Sequence, residues 1–138
     1  MPGYSGTPLP KKLGIKDGFR VQFAAAPPEV LVELKAALAA CQVIGDNKEP
    51  LDFVQVFTKS KAELTKEFKR ITRQLAPAGM LWVSWPKKSS GVATDLDENI
   101  VREIGLAVGL VDVKVCAVTD VWSGLKFVRR VKDRVARV

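Results

Sequence analysis

The chain contains no histidine, and that single absence excludes a whole class of mechanisms. Imidazole is the side chain whose ordinary pKa lets it carry protons near neutrality, so Ser-His-Asp and Cys-His hydrolase chemistry is ruled out. Cysteine is scarce as well. Cys41 and Cys116 lack CxxC spacing and have no histidine with which to complete a zinc site, so both are expected as free thiols and no metal is expected. Long hydrophobic runs are missing: no segment offers the roughly 20 uninterrupted apolar residues that a bilayer requires. Met1 to Phe19 carries no apolar stretch of the secretory-signal kind, which leads to the expectation of a cytoplasmic protein without membrane contact.

What is present suffices for one core. With 138 residues, 47% of them apolar, the chain can bury a sizeable interior but is too short for two comparable domains. Its net charge of +7 is unevenly spread. Residues 51–94 hold eight Lys/Arg against three Asp/Glu and the last ten residues hold five against one, whereas 95–128 is acidic. The basic excess therefore belongs to one helix, one loop and the tail.

Residues 1–17, rich in Gly, Pro and Lys without helical or strand period, read as an extended arm. Within it, Tyr4-Ser5-Gly6-Thr7 is able to fold back as a lid or to cross to another subunit. Residues 18–130 read as the single domain, and 131–138 as a basic tail. Phe19 to Ala26 is expected as a buried strand stopped by Pro27 and Pro28, which the first turn of a helix tolerates. Val30, Leu31, Leu34, Ala37, Leu38 and Cys41 recur at three and four residues and predict the first helix. A short strand at Cys41–Ile44 closes on Gly45-Asp46-Asn47. Asp52 to Thr58, β-branched and aromatic, suits a central strand. Ser60 and Glu63 form a capping box for a helix over 60–76 whose buried stripe is Leu64, Phe68, Ile71 and Leu75, with Pro77 and Gly79 ending it. Met80 to Trp85 is another apolar strand, followed by the polar loop Pro86 to Ala93. Thr94-Asp95-Leu96-Asp97-Glu98 carries N-cap signals for a helix reaching Gly109. Leu110–Val118 and Trp122–Arg130 alternate as two strands that should pair antiparallel about Thr119-Asp120.

This βα alternation predicts a three-layer α/β fold with a mostly parallel sheet of about six strands and a C-terminal antiparallel hairpin. The stretch Leu13-Gly14-Ile15 to Asp17-Gly18-Phe19-Arg20-Val21 resembles the lead-in to the first strand of class I methyltransferases. Asp52-Phe53-Val54-Gln55-Val56-Phe57 resembles their central strand, and Leu75-Ala76-Pro77-Ala78-Gly79-Met80-Leu81-Trp82-Val83 the start of the next. The resemblance implies a shortened Rossmann-like, methyltransferase-like fold. The family's glycine-rich turn against S-adenosylmethionine is replaced by Ala24-Ala25-Ala26-Pro27-Pro28, where alanines add Cβ atoms and prolines remove N–H donors. A strand and a helix of the family are missing as well. The expectation drawn from this departure is that there is no cofactor and that S-adenosylmethionine does not bind in the usual mode. Over nearly its full length the chain is also similar to a bacterial family without an assigned activity. That similarity rests on Gly3-Tyr4-Ser5-Gly6-Thr7-Pro8-Leu9, Trp85-Pro86-Lys87-Lys88, Gly91-Val92-Ala93-Thr94-Asp95-Leu96 and Trp122-Ser123-Gly124-Leu125-Lys126-Phe127.

In an open parallel sheet, ligands bind beyond the carboxyl ends of strands where neighbouring crossovers leave on opposite faces. That edge would gather Ala24 to Pro28, Thr58 to Ser60 and Trp85 to Thr94. The expected ligand is a small anion, with Lys87 and Lys88 as charge partners and Ser89, Ser90 and Thr94 as donors. Gly91 shares their loop ahead of a helix N-terminus, and Trp85 stands beside it. Trp82 is expected in the core. The leading functional expectation is a non-catalytic or atypical ligand-binding domain. One alternative is a nucleic-acid-associated basic protein acting through Lys61, Lys66, Lys69, Arg70 and Arg73 with the tail Arg129, Arg130, Lys132, Arg134 and Arg137. The other is a divergent S-adenosylmethionine-dependent methyltransferase. No catalytic residue is assigned: helix capping accounts for Asp95, Asp97 and Glu98, and Asp46, Ser84 and Asp112 have no identifiable partners.

Overall fold

A computed structural model describes residues 6–45 and 50–134. Their order is α1 (Leu9–Leu13), β1 (Arg20–Ala24), α2 (Pro28–Leu38), β2 (Gln42–Val43), β3 (Leu51–Phe57), α3 (Lys61–Thr72), β4 (Leu75–Pro86), α4 (Glu98–Ala107), β5 (Leu110–Ala117) and β6 (Trp122–Arg129). The six strands form one sheet in the order β2-β1-β3-β4-β6-β5. The first four are mutually parallel, and β6 runs antiparallel between β4 and β5. This is the expected α/β architecture, hairpin included.

Side-chain alternation along the strands divides the core in two. Val54 and Val56 of β3, with Leu81, Val83, Leu125 and Phe127, meet Leu64, Phe68 and Ile71 of α3 and Val101 of α4 on one face. Phe53 and Phe57, with Val21 and Trp82, meet Leu9 and Leu13 of α1 and Val30 and Leu34 of α2 on the other. Gly105 lets α4 approach the sheet closely: a Cβ there would lie 2.1 Å from Cε1 of Phe127, whose ring packs edge-on against Phe68 at 5.1 Å.

Capping fixes the starts of the helices on the first face. The Ser60 hydroxyl accepts from the Glu63 N–H at 3.3 Å, but the return half of the expected box is rearranged. Glu63 instead accepts from the Thr58 hydroxyl at 3.2 Å, and Thr58 Oγ1 accepts the Ser60 N–H at 3.2 Å. The Asp97 carboxylate accepts the Ile100 N–H at 2.8 Å and starts α4.

Two expectations are corrected. The segment 1–17, read as extended, contains α1, because Pro10 near the start and left-handed Gly14 (φ 84°) at the end bound a turn that buries Leu9 and Leu13. Trp82, buried as expected, donates its indole N–H to the Leu13 carbonyl at 2.8 Å and ties this helix to β4. The helix expected to reach 76 ends at Thr72, and Leu75 already pairs with Leu51 as the first residue of β4. Pro77 and Gly79 sit where the β3–β4 register shifts, so the missing proline N–H falls in a break of the ladder. Tyr4, Ser5, Asp46, Asn47 and Arg137 lie outside the described residues.

Candidate functional site

The chain leaves β1 for α2 on one face of the sheet and leaves β3 for α3 on the other. Adjacent strands with diverging crossovers open a crevice at their carboxyl ends, and here that crevice lies between Ala24 and Phe57. The β1–α2 turn is built unusually. Ala25 is the only non-glycine residue with positive φ among the described residues, at 58°. An alanine in the left-handed region costs on the order of 1 kcal/mol relative to glycine. Ala25 is exposed. Pro27 caps α2 and Pro28 opens it, and neither offers an N–H. The Ala26 and Glu29 amides make no backbone hydrogen bond among the described residues, whereas Val30 is already bonded to the Pro27 carbonyl at 3.0 Å. Two backbone donors thus remain at the positive end of an eleven-residue helix.

The interior just below this turn holds a polar pair that sequence reading passed over. Gln55 and Ser84 are both fully buried, and the Gln55 amide donates to the Ser84 hydroxyl at 3.2 Å. Gln55 Oε1 accepts no hydrogen bond. Gln55 stands opposite Phe23 of β1, one residue short of the strand's end. The available signal was one amide inside the apolar run of β3, since a buried side chain of that kind seldom goes unpaired without a reason.

The seven residues expected to bind a ligand fall into three groups. Ser90 and Thr94 hold the loop: the Ser90 hydroxyl donates to the Lys87 carbonyl at 2.6 Å, and the Thr94 hydroxyl donates to the Lys59 carbonyl at 2.7 Å. They also accept the Val92 and Leu96 N–H groups at 3.2 and 3.1 Å. Asp95 completes the attachment by accepting the Lys61 N–H at 2.8 Å, an additional cap on α3. Trp85, 5% exposed, packs in the core with Leu64 and Leu96. Lys88, Ser89 and Gly91 are exposed and Lys87 is half-buried, with Gly91 in the left-handed region at φ 75°. The structure therefore brings Lys87, Lys88 and Ser89 to the carboxyl edge together, while the α4 N-terminus expected to assist them is occupied by Asp97.

Several cations proposed for nucleic-acid contact are engaged within the protein. Arg70 donates to Gln22 and Glu67, each reached at 2.9 Å or less, and Arg129 donates to the Thr72 and Leu75 carbonyls at 2.6 Å. Asp112, left without a partner in the sequence reading, accepts from Arg102 at 2.8 Å. That hydrogen bond holds the Asp112 carboxyl below the usual carboxylate range. A cleft of about 740 Å3 lies at the opposite edge of the sheet, bordered by Pro50, Gln74, Leu75, Val108 and Lys132. It contains none of the seven residues expected to bind a small ligand, though Arg73, Arg129 and Lys132 of the expected nucleic-acid contacts line it. Among the described residues no helix is long and apolar enough to cross a membrane.

No protein-family model matches the chain, and no curated protein matches it. Solved structures do. An S-adenosylmethionine-dependent methyltransferase from Aquifex aeolicus is 16% identical with a TM-score of 0.59, over 85% of each chain. Magnesium protoporphyrin IX methyltransferase from Synechocystis, solved with bound S-adenosylhomocysteine, is 12% identical with a TM-score of 0.55, covering 83% of this chain and 75% of that one. Fibrillarin from Aeropyrum pernix, with natively bound S-adenosyl-L-methionine, is 14% identical with a TM-score of 0.54, covering 91% and 70%. These findings overturn the expectation that the chain takes no cofactor. The inference from missing glycines fails because the backbone reaches the left-handed turn with Ala25. The arrangement of layers, strands and hairpin is that of a class I methyltransferase-like Rossmann fold.

Proposed function

We propose that the chain binds S-adenosylmethionine in the crevice between β1 and β3 and acts as a small divergent methyltransferase. The observation that carries this reading is the left-handed Ala25 between β1 and α2, a strained turn kept at the crossover point of the sheet. The residues suit the cofactor in kind. The Ala26 and Glu29 amides at the head of α2 would hold its carboxylate, aided by the helix dipole. The small side chains of Ala24, Ala25 and Ala26 leave room for close approach. When bound, the cofactor supplies an electrophilic methyl group on a sulfonium. Lys88 and Ser89, exposed at the same edge, are then candidates for contact with the methyl acceptor rather than an independent anion site.

Calorimetric titration with S-adenosylhomocysteine tests the reading. The wild type is expected to bind in about the micromolar range. Aspartate and asparagine both tolerate the left-handed region, so Ala25→Asp and Ala25→Asn should fold alike. Ala25→Asp places a carboxylate against that of the ligand and should weaken binding at least tenfold, about 1.4 kcal/mol, while Ala25→Asn stays close to wild type. Absence of heat from the wild type, or equal binding by the two variants, would remove the site from this turn.

A further inference from the structure

The two strands of the hairpin are covered unequally on their two sides. Helix α4 packs on the face that carries Leu110, Leu125 and Phe127. On the other face β5 and β6 present Lys114, Cys116, Lys126 and Val128, and the one nearby helix is the five-residue α1. Lysines gather there. Lys114 stands directly across from Lys126 in the β5–β6 register. The Lys114 ammonium donates to the Lys12 carbonyl at 3.0 Å, and the Lys12 ammonium donates to the Ala117 carbonyl at 3.1 Å. A Cβ on Gly14 would lie 3.9 Å from Lys126 Nζ. Burial depresses the Lys126 ammonium below its usual range, with Lys114 and Lys16 adding repulsion. Lys12, Lys114 and Lys87 all bear on the Cys116 thiol, which burial nevertheless pushes up.

The ion pairs described in the molecule lie elsewhere and each uses an arginine: Arg20–Asp52, Arg70–Glu67, Arg102–Glu98 and Arg102–Asp112. Lys16, Lys114 and Lys126 belong to none of them. Asp112, near in sequence, is turned to Arg102 on the α4 face. Like charges brought together in this way repel, and an external polyanion would offset that repulsion. The track runs from the Lys114–Lys126 pair to Ala117, three residues along β5, which is about 10 Å at strand rise. That length exceeds one phosphate and suits a chain that carries one charge per nucleotide.

We propose that the open face of β5 and β6, with Lys12, Lys16, Lys87, Lys114 and Lys126, is a docking track for the phosphate backbone of a single-stranded nucleic acid. The proposal stands apart from the cofactor reading, because the track binds whether or not the crevice does. Its test is the fluorescence anisotropy of a labelled oligouridine of about 12 nucleotides, titrated with the full chain between about 50 and about 200 mM salt. Lys114→Gln/Lys126→Gln should weaken binding roughly tenfold at the lower salt and reduce the slope of log affinity against log salt by about 1.4, at 0.7 per lost contact. Lys66→Gln/Lys69→Gln, on exposed positions of α3 across the sheet, should leave both quantities unchanged. Should the first pair lose stability in a thermal melt, Lys16→Gln/Lys114→Gln, at two exposed positions, gives the same reading. Equal weakening by the α3 pair, tighter binding of inorganic pyrophosphate than of the oligonucleotide, or no binding at the lower salt would each overturn the proposal.

Discussion

The two faces of the sheet solve the same covering problem differently. On one, α3 and α4 begin with side-chain caps, bury continuous apolar stripes and carry the ion pairs Arg70–Glu67, Arg102–Glu98 and Arg102–Asp112. On the other, α2 begins on two prolines without a side-chain cap, α1 is a single short turn, and lysines stand over the hairpin. The first face is organised as a structural face, around apolar burial and capped helices. The second carries the strained Ala25 turn, the facing like charges of Lys114 and Lys126 and the buried Gln55–Ser84 pair, all features that cost stability. Where a fold keeps such costs, function is the explanation to test first.

Substitutions on each face break or sharpen this contrast. The largest effect is expected at Gly105 on the structural face. Gly105→Ala drives a Cβ into the Phe127 ring and should lower stability by about 2–3 kcal/mol in chemical denaturation, with partial recovery when combined with Phe127→Leu. Next comes Trp82→Phe, which strips the Leu13 carbonyl of its buried partner and should cost about 1–2 kcal/mol while loosening α1 in hydrogen exchange. Lys126→Met should act in the opposite direction and raise the melting temperature by a few degrees at neutral pH. The sign follows from the depressed ammonium. The unfolded chain holds that proton up to about pH 10.4, so the wild type gains stability as pH rises from the lowered folded value toward it, and the variant should lose this gain. The smallest effect is expected for Asp112→Asn. Its carboxyl is held low by Arg102, so its contribution is present above about pH 4 and fades as pH falls further, and the variant should differ little from wild type in strong acid.

Much of the fold was legible because local signals and burial agree. Ser60, Asp97 and the β-branched runs point to the same elements as the packed structure. The boundaries that moved did so where tertiary contact overrode period. Leu75 continues the stripe of α3 at four residues from Ile71, yet pairing with Leu51 draws it into β4. Helix α1 was missed because one turn shows no period, and what makes it worth forming are distant contacts, with Val30 and Leu34 of α2 and with Trp82, 69 residues away. The candidate site was less legible. Reading glycine as indispensable at the β1–α2 turn treated a cost of about 1 kcal/mol as a prohibition. Ser90 and Thr94 were read as ligand donors, but a hydroxyl in a loop serves equally to fasten that loop, and here the Lys87 and Lys59 carbonyls accept from both. The lysine track was invisible because its members are scattered from Lys12 to Lys126 and meet only when β6 inserts between β4 and β5.

The most direct measurement is a backbone-amide NMR titration of the isotope-labelled protein with S-adenosylhomocysteine. The account predicts that the Ala25, Ala26 and Glu29 amides shift most, together with residues at the end of β3, while Lys88 to Gly91 change little. Shifts confined to Lys87–Thr94, or none at ligand concentrations far above micromolar, would contradict it.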